Sequence, residues 1–182
     1  AFYVLYADID KFNPMEYKLE YDKLSQMDKW VLSKLNTLVK EVDAGMQEYK
    51  VTESSRLIQD FTDELSNWYV RRCRERFWGS GMEQDKINAY MTLYTCLVTL
   101  AKVSAPFVPF MTEQIYQNLV VNFDKTAPES IHLCDFPVAD ESLIDENLNE
   151  GMENVLEVVV LGRSARNLSG IKNRQPLSSL VV

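Results

Sequence analysis

Apolar residues recur along the chain in steps of three and four, the spacing that keeps one face of an α-helix against a core. Met27, Val31, Leu35, Leu38, Val42, Met46 and Tyr49 form the first such face. Asp22 or Ser25 stands where its cap is needed, and Gly45 weakens the helix near its end. A second helix is predicted from near Thr52 or Ser54 to about Trp78. Phe61, Leu65, Trp68 and Arg72 form one stripe along it, and Val70, Cys73 and Phe77 form another. The two glycines of "WGSG" stop it. A third helix starts near Asp85 and buries Ile87, Tyr90 or Met91, Tyr94, Leu97 or Val98, and Ala101. It ends before "APFVPF", because each proline removes a backbone donor and restricts the residue before it. A fourth runs from about Phe110 to Val121, with Ile115 and Leu119 inward and Thr112 and Glu113 in its first turn. From Asn122 to Asp140 the chain reads as loop, with at most one short strand near residues 130–136. A last helix spans roughly Ile144 to Leu168, along Leu148, Met152, Val155, Val159 and Gly162. The expected fold is an all-α bundle of about five helices.

Composition supports a folded domain and excludes several classes. The 182 residues are 46% hydrophobic and 25% charged, as in ordinary globular proteins. No apolar run approaches the ~20 residues of a membrane helix. The start, "AFYVLYADID", has no basic segment and carries Asp8 and Asp10, unlike a signal peptide. It opens inside an apolar pattern with neither cap nor methionine, which reads as a piece cut from a longer chain. Cys73, Cys96 and Cys134 are odd in number and far apart, so a disulfide framework is not expected and a reducing, cytoplasmic setting is. His132 is the one histidine, and with no cysteine pair a transition-metal site lacks ligands. No phosphate-binding glycine loop, dinucleotide fingerprint or HExxH is present. No metal or cofactor is therefore expected in this chain.

Charge changes the picture in one place. The formal net charge is −8, yet "NWYVRRCRERFWGSG" gathers Arg71, Arg72, Arg74 and Arg76 with Trp68, Tyr69, Phe77 and Trp78. Glu75 is the one acid among them, leaving a local +3. At 100° per residue Val70, Cys73 and Phe77 fall within about 60° and form the expected core seam. Arg72 and Arg76 share a flank beside Leu65, while Arg71 and Arg74 lie on a different side, with Asn67 near Arg71. One reading is a solvated helix whose arginines pair with neighbouring acids, at only ~0–1 kcal/mol per surface pair. The other is a folded RNA, because guanidinium forks grip phosphate and flat rings stack on unpaired bases. The net charge does not forbid this, since repulsion is screened beyond about 8–10 Å at physiological salt. A second charge split lies at the end of the chain. Seven acids and no base occupy 140–157, and four bases with no acid occupy 163–174, which complements the dipole of the last helix.

These segments resemble the anticodon-binding domain of class I aminoacyl-tRNA synthetases, most closely the isoleucyl members. "DKWVLSKLNTLVKEV" looks like the family's first long bundle helix, and "DELSNWYVRRCRERFW" is its most recognisable one. "DKINAYMTLYTCLVTLAKVSAPFVPFMTEQIYQNL" is similar to the helical pair that follows, and "YADID" with "FNP" to the stretch after the catalytic domain. The Asn-Trp-Tyr helix and the Pro-Phe break are shared with the valyl, leucyl and methionyl relatives. "GIKNRQPLS" favours the isoleucyl enzymes, although Asn173 and Cys73 stand where valine and serine are common.

The resemblance implies a helical anticodon-binding domain over 1–168, then the start of a C-terminal junction over 169–182. It implies that the domain docks the anticodon stem-loop of tRNA(Ile) and packs on the catalytic domain of its parent chain, without DNA or membrane. The parent would attach isoleucine using ATP and Mg. The ATP-site signatures of that catalytic domain are absent here, so the chain alone should be inactive. By similarity to the methionyl relative, Trp78 lies near the anticodon and is the expected stacking platform. Arg71 and Arg74 are the expected phosphate contacts, Asn67 a base-edge contact, and Lys172 and Arg174 RNA or interdomain contacts. Arg72 and Arg76 are candidates for fixing the bundle, or its junction with the catalytic body, instead. The rival is a helical protein-interaction module that binds no RNA, supported by the acidic balance and the amphipathic helices.

Overall fold

Ser25 starts one of the long helices with a reciprocal cap. Its hydroxyl accepts from the Asp28 amide while the Asp28 carboxylate accepts from the Ser25 amide, satisfying two otherwise orphaned donors. The computed structural model describes residues 2–172 and 174–179. Its helices are α1 (Phe2–Asp10), α2 (Gln26–Gln47), α3 (Val51–Glu64), α4 (Arg71–Trp78), α5 (Gln84–Ser104), α6 (Pro109–Tyr116) and α7 (Glu146–Leu168). A π-helical stretch, Leu65–Val70, joins α3 to α4 without a break, and another, Gln117–Val121, extends α6. Counted as continuous rods these make six, and there is no strand among the described residues. The all-α expectation holds. The added rod is α1, and the strand allowed near 130–136 is instead a 3-10 turn, Ile131–Leu133. That turn forms because Glu113 accepts from the Ser130 hydroxyl and the Ile131 amide, at 2.8 and 3.0 Å, so no extended partner is needed.

The chain divides into two compact units, 1–144 and 145–182. In the first, α2 packs along α3 and α5, and its Trp30, Val31, Leu35, Val39 and Val42 are buried. Gly45 permits the closest approach, since a Cβ there would lie 2.6 Å from Ser54 Oγ on α3. An aromatic chain ties α1 and α4 to α5. Phe2 meets Phe77 edge-on at 5.2 Å, Phe77 meets Tyr90 at 4.9 Å, and Tyr90 stacks on Phe12 at 4.6 Å. A smaller core of Ala101, Ala105, Tyr116 and Ile131 closes the far end.

In the second unit Asp145 caps α7 by accepting from the Leu148 amide at 2.9 Å. Gly170, at φ +67°, ends it in a left-handed turn, with Ile171 N–H donating to Arg166 O and Gly170 N–H to Asn167 O. Arg166 then holds the following segment through the carbonyls of Lys172 and Gln175, at 3.0 and 2.8 Å.

Candidate nucleic-acid interface

Phe61, Leu65, Tyr69, Cys73 and Phe77 follow one another at intervals of four, and all five are buried. An α-helix turns about 400° in four residues, so such a row drifts by ~40° per step. The π stretch widens the middle of the rod, and a wider turn keeps the row on the core. The seam therefore runs through Tyr69, which is fully buried, whereas Val70 is only partly so. This corrects the expectation of a Val70–Cys73–Phe77 seam, which assumed a uniform α-helix.

The four arginines separate once the seam is placed. Arg76 turns inward beside it. Its Nη1 and Nη2 donate to Asp28 Oδ1 and Oδ2 at 2.7 and 2.9 Å, and its Nε and Nη2 donate to the Asp85 carboxylate at 2.8 Å each. The Asp28 side chain is 0% exposed and also accepts from Tyr69 Oη at 2.6 Å and Ser25 Oγ at 2.7 Å. Burial alone would raise its pKa, but the Arg76 and Tyr69 bonds dominate and hold the carboxyl below its ordinary value. Burial likewise opposes the charge on Arg76, yet the bonds to Asp28 and Asp85 raise its pKa. Burial pushes the Tyr69 hydroxyl well up, with the Asp28 charge adding to it.

Arg71, Arg72 and Arg74 are exposed and make no ion pair among the described residues. Arg74 lies over the Trp78 ring at 5.2 Å and Arg72 over the Trp68 ring at 5.6 Å. Of the two arginines that were candidates for fixing the bundle or its junction with the catalytic body, Arg76 ties α4 to α2 and α5, while Arg72 makes no such bond within the described residues. Trp78 is 51% exposed, and Asn67 is exposed. Within α4, at about 100° per residue, Arg71, Arg74 and Trp78 share a strip about 60° wide, and Asn67 lies on the π stretch just before it. Lys172 and Arg174 are exposed in the second unit.

The inward network joining Asp28, Tyr69, Arg76 and Asp85 was not visible as a set. Ser25 stood out only as one of two possible caps, and nothing in the sequence linked Asp28 to Arg76, 48 residues ahead. Among the described residues no group of three or more His, Cys, Asp or Glu is placed to hold a metal, and no helix is long and apolar enough to cross a membrane.

Arg71 and Arg74 are thus exposed, with Arg74 over the half-exposed Trp78 indole, and family comparison names the class of the chain. The model of the anticodon-binding domain of tRNA ligases matches residues 28–181. The chain belongs to that family. Its relatives include the isoleucine–tRNA ligases of Clostridium novyi and Clostridium tetani, 58% and 57% identical over all 182 residues of the chain. That of Dehalococcoides mccartyi strain 195 is 52% identical over the same span. The chain spans only 17–18% of the length of these three relatives. Membership decides between the two sequence readings in favour of the anticodon-binding domain over a protein-interaction module.

Proposed function

We propose that this chain is the part of an isoleucine–tRNA ligase that grips the anticodon stem-loop of tRNA(Ile). The reaction it serves is ATP- and Mg-dependent attachment of isoleucine, performed by a catalytic domain elsewhere in a longer cytoplasmic protein. Residues 169–182 would begin the junction to a further segment. The observation that carries this reading is the division of labour among the arginines. Arg76 is committed to two carboxylates, while Arg71 and Arg74 remain exposed beside a half-exposed indole.

The chemistry of each residue follows from its placement. Trp78 offers one ring face to an unpaired base, with the Arg74 guanidinium over the ring. Arg71 and Arg74 donate to phosphate oxygens, and the Asn67 amide reads or steadies a base edge. From Asn67 to Trp78 the rod rises about 16 Å, a reach of a few nucleotides, matching a loop and not a long duplex. Lys172 and Arg174, in the second unit, serve as RNA or interdomain contacts of their own. Within 67–78 Glu75 is the one acid against four arginines, a local charge of +3.

The test is a titration of the chain with tRNA(Ile) over a range of salt. Log affinity should fall with log salt at about −0.7 to −0.9 per phosphate neutralised, and an equal-length DNA duplex should bind far more weakly. Equal affinity for both, or affinity indifferent to salt, would contradict the proposal.

A further inference from the structure

Lys86 is a lysine in an unexpected place. It lies in the first turn of α5, where the helix dipole disfavours a positive charge, and its side chain is only 5% exposed. Neither helix propensity nor apolar packing accounts for burying it there. Two bonds do. Its Nζ donates to the Gly79 carbonyl at 2.8 Å and pairs with Asp10 Oδ2 at 2.6 Å. Asp10 also accepts from Tyr90 Oη, and Nζ sits 5.9 Å from the Tyr90 ring centre. Gly79 is the residue that immediately follows Trp78.

On the other side of Trp78, Arg76 is tied to Asp28 and to Asp85, the neighbour of Lys86 on α5. The half-exposed indole is thus bracketed by two fixed points, a side chain two residues before it and a carbonyl one residue after it. Past Trp78 the restraint is the Lys86 bond to the Gly79 carbonyl. We infer that Lys86 is a positioning residue for the RNA surface: by holding the Gly79 carbonyl it fixes the rotation of the last turn of α4, and so presents the Trp78 ring preformed to a base. This rests on the proposal that Trp78 stacks on the tRNA.

A double-mutant cycle on tRNA(Ile) binding tests it. Trp78→Ala alone should weaken binding about 5- to 150-fold, the usual worth of one stacked base. Lys86→Met alone should weaken it by a similar factor with no change in salt slope, because the buried Nζ reaches no phosphate. In the Lys86→Met background, Trp78→Ala should then cost less than about twofold, since the platform is already lost. Additive effects, or a salt slope altered by Lys86→Met, would overturn the inference and leave Lys86 a stability element or a direct contact. Should Lys86→Met not fold, Lys86→Gln, which removes the charge and shortens the side chain, is read in the same cycle with the same two outcomes. If Trp78→Ala binds like the unaltered chain, the stacking role itself fails, and that is seen before Lys86 is touched.

Discussion

Replacing Asp28 by asparagine should cost the chain more stability than any change on its exposed arginine strip. The side chain is 0% exposed and accepts from Arg76, Tyr69 and Ser25. Asparagine keeps the shape but removes the charge and turns one acceptor into a donor that faces other donors. Breaking a buried ion pair from one side costs about 3–5 kcal/mol. Arg76 keeps Asp85 as a second carboxylate, so the lower end, about 3 kcal/mol, applies. That is a large part of the roughly 5–15 kcal/mol that holds a domain together. For a chain of this size it lowers Tm by about 6–12 °C. Thermal unfolding followed by circular dichroism at neutral pH reads it directly. The pH dependence gives a second check with a definite sign. The Asp28 pKa is lower folded than unfolded, so its contribution is present above the unfolded value and is lost as pH falls through the folded one. The gap between Asp28 and its asparagine variant should therefore close progressively below about pH 4. A fall in Tm under about 2 °C, or a gap that does not change in acid, would refute the role assigned to this carboxylate.

Tyr69→Phe removes one charge-assisted bond to Asp28 and should cost about 1.5–3 kcal/mol in a urea titration. In its background the Asp28→Asn penalty should differ from its value in the unaltered chain, because the two groups share a network; strict additivity would count against that network. Cys73 and Cys96 are buried, and burial pushes both thiols up, whereas Cys134 is only half-buried. A thiol reagent should therefore modify Cys134 first in the native chain and all three after unfolding; equal rates for the three in the native state would contradict the packing described.

The bundle was readable because its long helices keep apolar residues in steps of three and four over many turns. The π stretch was not read, although its cause is written in the sequence. A row spaced strictly by four from Phe61 to Phe77 does not fit a 3.6-residue turn. Assuming uniform helix there displaced the seam from Tyr69 to Val70. Helix α1 escaped notice because nine residues carry few periods and no cap. Arg72 and Arg76 were indistinguishable in the sequence, four residues apart on one flank. What separates them is a carboxylate on α2 and another on α5, contacts that depend on tertiary packing. Arg71 and Arg74 could be grouped from the sequence because both lie on α4, where local helix geometry suffices, whereas Trp78 entered only through the family resemblance.

The most direct test of the central claim compares the salt dependence of tRNA(Ile) binding between the unaltered chain and the double variant Arg71→Glu/Arg74→Glu. If these two cations grip phosphates from the outward strip, the slope of log affinity against log salt should become shallower by about 1.4–1.8, while the melting curve stays nearly unchanged. An unaltered slope in a folded double variant would place the RNA somewhere other than on this strip.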